Sequence, residues 1–263
     1  MELEFKDYKY KDKIISLKFN SKNINGIVGK SSSDIEDIIH LKNEYEGKVL
    51  IDKKKLTESD ITKYRKKLVI LKENDYLAIQ KETVYDLMEY ILDQKRIYPK
   101  NIQKKINDSL RIVGLDKSIA NRNIIEISKS EKKLLQIAIS LLSNPDVLII
   151  EEPFRYLDMK KIKNLMIVLR KMKDQYNKIV IFISNDTDKM YQNTDIITIY
   201  NKGTIVTQGP TKDIFKKVEL LKENKVDIPK IIDFTYNARE KKHIKLDYHQ
   251  DIRDIIKDIY KHV

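Results

Sequence analysis

Three short segments of this sequence carry residue types that do chemistry at fixed spacing. Val147 to Ile150 run without interruption into Glu151-Glu152-Pro153, and Leu157-Asp158 follows shortly after. Such an apolar run is a good buried parallel strand, which delivers two adjacent carboxylates to the carboxyl edge of a sheet. Ile127-Ser128 precedes apolar residues at 134, 135, 137, 138, 139, 141 and 142, a helical repeat that stops before Asn144-Pro145. Ser128 thus stands at a helix N-terminus, where hydroxyl, backbone N–H groups and helix dipole can all meet a phosphate. Glu131, three residues on, equally completes a capping box with Ser128, and the two roles are compatible. The third segment, Gly29-Lys30-Ser31-Ser32, follows the apolar stretch ending at Val28. Glycine lets backbone N–H groups turn inward on phosphates, and a lysine can reach the outer ones.

The elements that must position these residues follow from periodicity. Leu3 to Phe5, Ile14 to Phe19, Ile24 to Val28, Gly47 to Ile51 and Lys67 to Leu71 are strand candidates, with a helix over Asp34 to Leu41. From Glu82 to Leu115 the pattern is helical. The strand at 147–150 is followed by a helix across 159–173 and a strand from Ile179 to Ile183. Ile196 to Tyr200 and Thr204 to Val206 form a hairpin through Asn201-Lys202-Gly203. Strands alternating with helices imply a mainly parallel sheet, and the opening strands an antiparallel annex.

Composition narrows the function classes. With 263 residues and 41% hydrophobic content, the chain can bury one sizeable α/β core with an appendage. It has no cysteine and only four scattered histidines, which offer no thiolate or imidazole metal cluster. No stretch reaches the roughly 18 apolar residues of a membrane span, and MELEFKDYKY lacks a signal-peptide core, so a cytosolic chain is expected. The net charge of +12 would suit nucleic acid or an anionic membrane surface, yet charges of both signs interleave along the chain as on an ordinary solvated surface.

Read in order, residues 127–158 resemble the nucleotide-binding subunit of an ABC transporter: signature loop (LSGGQ in that family), helix, Walker B strand ending in Asp-Glu, then a Leu-Asp turn. The resemblance extends over residues 2–235. Its tail, YNKGTIVTQGPTKDIF followed by VELLKENKVDIPKI, is similar to ATPase subunits of energy-coupling factor (cobalt and vitamin type) importers. It implies a P-loop NTPase fold of ABC type over residues 1–225, with an α/β core of mainly parallel sheet, an antiparallel β annex and a helical subdomain inserted at 76–140. A charged, helical C-terminal extension would occupy 226–263.

Carried over position by position, the resemblance implies an altered ATP site. The family's G-x-x-x-x-G-K-[ST], aligned without gaps from Gly29, sets Asp34 at the last glycine, Ile35 at the lysine and Glu36 at the magnesium-binding hydroxyl. A gapped alternative makes Gly29-Lys30-Ser31-Ser32 the end of the motif but puts the hydrophobic residues of the following helix out of register. Under the bland alternative the segment is a plain strand–turn–helix with Ser33 or Asp34 as N-cap. Lys72 takes the place of the glutamine that senses magnesium, and Asp75 that of an acidic residue facing the membrane partner. Glu151 replaces the Walker B aspartate, Glu152 retains the general-base position, and Asn185 stands for the switch histidine. Tyr10, or Tyr8, would stack on adenine unless both merely cover a strand face. Ser128, Lys129, Ser130 and Asp158 would reach ATP held by a second chain.

In family dimers each ATP lies between one chain's phosphate loop and the other's signature. Ile35, Lys72 and Asn185 have lost the chemistry of their positions and Glu151 has changed it, whereas the elements at Ser128 and Leu157-Asp158 are partly kept, without the two signature glycines. The expectation is an importer subunit at the cytoplasmic face of the membrane whose own ATP and Mg²⁺ site hydrolyses weakly or not at all. It would support a second ABC ATPase subunit in a heterodimer and act on a transmembrane coupling subunit. The alternative is a scaffold that binds no nucleotide. ABC relatives acting on nucleic acid carry two fused units and a long basic linker, neither present here, so no nucleic acid is expected.

Overall fold

The computed structural model describes residues 1–29, 32–41, 46–72, 79–242, 244, 246–249 and 251–262. Lys30, Ser31 and Asp75, three of the positions singled out above, lie outside the described residues.

The chain opens with β1 (Glu2–Tyr10), β2 (Lys13–Asn20) and β3 (Ile24–Gly29), then α1 (Ser32–His40), β4 (Glu46–Ile51), β5 (Lys54–Lys55), α2 (Glu58–Lys67) and β6 (Leu68–Leu71). Helices α3 (Val84–Gln94) and α4 (Ile102–Ile112), a 3-10 turn (Lys117–Asn121) and α5 (Lys129–Leu142) come next. They lead into β7 (Val147–Glu151), α6 (Met159–Tyr176), β8 (Ile179–Ile183), α7 (Thr187–Asn193), β9 (Ile196–Asn201) and β10 (Thr204–Pro210). Helices α8 (Thr211–Phe215), α9 (Val218–Glu223), α10 (Lys230–Lys242) and α11 (Ile252–His262) complete the chain.

Two sheets result. One is six-stranded in the order β10-β9-β3-β8-β7-β6, and the other is four-stranded in the order β2-β1-β4-β5. Strands β9, β3, β8, β7 and β6 run parallel, with β10 antiparallel at the edge. The smaller sheet is antiparallel throughout. Alternation along the parallel strands divides the core. Ile27, Val147, Ile149, Ile179 and Ile181 face α1 and the smaller sheet, packing with Ile35, Ile38, Phe5 and Tyr8. Val28, Leu148, Ile150, Val180 and Phe182 face the opposite layer, with Leu87, Leu110, Leu135 and Leu165.

The helix α2 was not anticipated. Its sequence ESDITKYRKK buries only Tyr64, so it has almost no apolar stripe, but Thr57 and Asp60 form a reciprocal capping box at its start. The 196–206 hairpin runs on to Pro210. Among the described residues no helix is long and apolar enough to cross a membrane. Helix α10 is tied to the core through buried Ile232 and through the Lys230 N–H, which donates to Asp188 Oδ1 at 2.7 Å, and α11 buries Ile255.

Candidate functional site

The parallel strands end on one edge and bring together residues far apart in sequence. Register between β7 and β8 pairs Glu151 with Ile183, and that between β6 and β7 pairs Leu71 with Ile150. Residues 72, 151, 152, 184 and 185 therefore lie side by side where the strands give way to loops. Glu152 has φ +43° and its N–H donates to the Ile183 carbonyl at 2.9 Å. Its carboxylate accepts from the Ser184 hydroxyl at 2.9 Å and the Asn185 N–H at 3.4 Å. Asn185 in turn accepts the Gly29 N–H on Oδ1 at 3.2 Å. Gly29 has φ +145°, and a Cβ there would sit 1.7 Å from the Tyr200 carbonyl oxygen, so only glycine fits. Behind the edge, buried Lys133 donates from Nζ to the Glu151 carbonyl at 2.8 Å. Lys133 was not singled out in the sequence, although it stands next to the apolar run of α5.

At the phosphate-loop position, α1 starts at Ser32, so Ser33 and Asp34 lie inside the first turn rather than at the N-cap. Ile35, Ile38 and Ile39 are fully buried, which suits the ungapped alignment, under which a core isoleucine would stand at the family's phosphate-binding lysine position. Asp34 is held from three sides. Tyr10 donates to Oδ1 at 3.2 Å, Lys11 to the same oxygen at 2.9 Å, and Tyr200 to Oδ2 at 3.3 Å. Partial burial works to raise the Asp34 carboxyl, but Lys11 and the two phenols outweigh it and hold it below its usual range. Burial, reinforced by Asp34, pushes both the Tyr10 and the Tyr200 phenols up, so both stay protonated donors.

Tyr10 is therefore a clasp on Asp34, and its geometry tells against adenine stacking. The residue is 8% exposed, and the Lys11 ammonium lies over its ring, 5.0 Å from the centroid. Tyr8 is buried edge-on to Phe5, with ring centroids 5.6 Å apart, so it covers a strand face. Tyr200 and Lys11 had no sequence signal, because their link to Asp34 depends on the meeting of β1, β9 and α1.

The two changed positions that would flank a magnesium ion, Glu36 and Lys72, form an ion pair with Nζ 2.7 Å from Oε2. A lysine ammonium offers donors and no lone pair, so it cannot ligate a metal. Among the described residues no group of three or more His, Cys, Asp or Glu is arranged to hold a metal ion. The residues present do not fit Mg²⁺, and the phosphate end carries carboxylates at 34 and 36 where a polyphosphate would need cations.

The signature segment forms a second, separate surface. Ser128 caps α5: Glu131 N–H donates to its hydroxyl at 3.3 Å, and the Ser128 N–H donates to Glu131 Oε2 at 2.7 Å. Hydrogen bonds from Ser128, with Arg122 adding charge, hold the Glu131 carboxyl below its usual range. Asp158 caps α6 by accepting the Lys161 N–H at 2.8 Å, and that bond lowers its carboxyl too. Lys161, which the sequence did not flag, joins the two turns: Nζ donates to Ser130 Oγ at 2.7 Å and lies 3.5 Å from Asp158 Oδ2. The Lys129 ammonium sits over the Tyr156 ring, 5.3 Å from its centroid. Residues 128–130 and 156–158 thus share one braced surface. A groove of about 1100 Å³ between α6, α7, α10 and α11 is lined by Met166, Phe234 and Ile256 and holds none of the expected site residues.

A parallel strand ending at Gly29 ahead of α1, separated by β8 from the strand that runs into Glu151-Glu152, defines an α/β cassette of the P-loop NTPase class. The ABC transporter family model matches residues 13–155, and the chain belongs to that family. It is similar to the energy-coupling factor transporter ATP-binding protein EcfA2 of Caldanaerobacter subterraneus subsp. tengcongensis, 23% identical over 87% of this chain and 82% of that protein. EcfA2 of Clostridium perfringens is 28% identical over 81% of this chain and 74% of its own length. In fold it is similar to cbiO1 from Clostridium perfringens, part of the ABC transporter complex cbiONQ, with TM-score 0.70, 21% identity and coverage of 89% of this chain and 98% of that one. The ABC cassette MJ0796, solved as a dimer bound to ADP and Pi, gives TM-score 0.64 at 21% identity over 80% of this chain and 98% of its own.

Proposed function

We propose that this chain is the degenerate ATPase subunit of an energy-coupling factor-type importer, supporting ATP hydrolysis in a partner's site across a heterodimer. The contrast between its two surfaces carries this reading. The surface that would hold its own nucleotide has Asp34 clasped by Tyr10, Lys11 and Tyr200, a core Ile35 and the Glu36–Lys72 pair. The surface that would face a partner's nucleotide keeps Ser128 at a helix N-terminus, braced to Asp158 through Lys161.

Losing one oriented catalytic group typically slows a reaction by roughly 10²–10⁴. Four altered positions (35, 72, 151 and 185), even strongly non-additive, leave little hydrolysis for the chain's own site. Dimer closure over the competent site would be transmitted to a transmembrane coupling subunit, with this chain peripheral at the cytoplasmic membrane face. The names of the relatives support the importer class.

Single-turnover ATP hydrolysis by the purified chain, alone and with an intact ABC ATPase subunit, tests the proposal. No turnover alone and faster turnover by the pair is expected. Turnover by the isolated chain that disappears on Glu152→Gln would overturn it. A fluorescent ATP analogue separates the scaffold alternative, which predicts that adding this chain to the intact subunit creates no additional nucleotide binding.

A further inference from the structure

Glu36 is an unusual residue to bury. It lies one turn into α1 between the two sheets, its side chain 2% exposed, with Oε2 on the Lys72 ammonium. Its other oxygen, Oε1, has no hydrogen-bond partner among the described residues. A carboxylate in such surroundings is strongly disfavoured unless a cation stands against it. Lys72 supplies one: it follows the end of β6, its side chain half exposed, and brings Nζ to 2.7 Å. The β6–β7 register, Leu71 against Ile150, sets residue 72 beside Glu151 as well. One ammonium therefore stands among the positions from which the family contributes a hydroxyl, a carboxamide and a carboxylate around a divalent ion. Both departures from the family pattern, a lysine and a glutamate of opposite charge, meet at that point.

We infer that Lys72 is the resident cation of this site, an internal ammonium that balances Glu36 in place of a divalent metal and keeps one out. An ammonium is a compact point charge with three donors, suited to a short charge-assisted bond with a buried carboxylate. It holds the end of β6 against α1 permanently, with no metal to gain or lose. The inference rests on the family assignment of positions 36 and 72, and not on support of a partner in trans.

Manganese binding followed by electron paramagnetic resonance, with thermal melting in EDTA and in Mn²⁺ at matched ionic strength, tests it on the full chain. The wild type should bind no Mn²⁺ and melt at the same temperature in both buffers. Lys72→Gln should melt several degrees lower in EDTA, take up one Mn²⁺ and recover part of the loss. Stoichiometric Mn²⁺ on the wild type, an unchanged melting temperature for Lys72→Gln in EDTA, or no Mn²⁺ uptake by that variant would each overturn the inference. If Lys72→Gln does not fold, Glu36→Gln/Lys72→Gln decides: recovered folding supports the pairing, and the same failure overturns it. No partner and no hydrolysis enter these measurements, so their failure leaves the proposed function standing.

Discussion

The Ser184 hydroxyl donates to Glu152 Oε2 at 2.9 Å, binding this carboxylate to the loop that follows β8. With the Asn185 N–H on the other oxygen at 3.4 Å and Asn185 Oδ1 on the Gly29 N–H, one chain of hydrogen bonds runs from β7 through β8 to the end of β3. The carboxylate here holds loops in register. Under the proposed function, Glu152→Gln should therefore leave the background ATP turnover of the isolated chain unchanged in a phosphate-release assay.

Gly29→Ala should destabilise the fold without any ligand present. An added Cβ would be strained at the positive φ and would lie 1.7 Å from the Tyr200 carbonyl oxygen, pushing β3 away from β9. A loss of about 2 kcal/mol or more is expected from strain of this kind. The midpoint of urea unfolding measures it, and a midpoint equal to wild type would contradict the geometry.

The Asp34 clasp makes a pH-dependent contribution. Its carboxyl is lowered in the folded protein, so its stabilisation is present above the unfolded value and fades as pH falls through the folded one. The melting-temperature difference between wild type and Asp34→Asn should be largest above roughly pH 5 and shrink as pH falls through and below the ordinary aspartate range. A difference that stays constant over this window would show that the charge of Asp34 contributes nothing to the clasp.

Ser128→Ala removes a helix cap as well as a hydroxyl. In the isolated chain it should cost about 1 kcal/mol, and Ser128→Thr, which keeps a capping oxygen, should cost less. Chemical unfolding of both variants makes the comparison, and equal losses would remove the capping role.

Much of the scaffold was legible because its signals are local. The apolar run 147–150 read as a good buried strand, and Ser128 with Glu131 announced the start of α5. Helix α2 was missed for want of an apolar stripe, although Thr57 and Asp60 carried the same capping signal. The candidate site could be read only as a set of positions, each judged alone. Their pairing could not be read: Glu36 meets Lys72, and Asp34 meets Tyr200 across 166 residues, only once two sheets close on α1. Tyr10 illustrates the consequence, since an aromatic at the expected position turned out to spend its hydroxyl on Asp34.

The most direct test of the central claim compares two single substitutions in this chain within the assembled complex, made with an intact ABC ATPase subunit. Steady-state ATP hydrolysis is measured for wild type, Glu152→Gln and Ser128→Arg. The account predicts that Glu152→Gln leaves the rate unchanged, whereas Ser128→Arg, which places a bulky side chain where the partner's phosphate would lie, abolishes most of it. Loss of activity with Glu152→Gln and full activity with Ser128→Arg would contradict the account, placing the catalysis in this chain's own site.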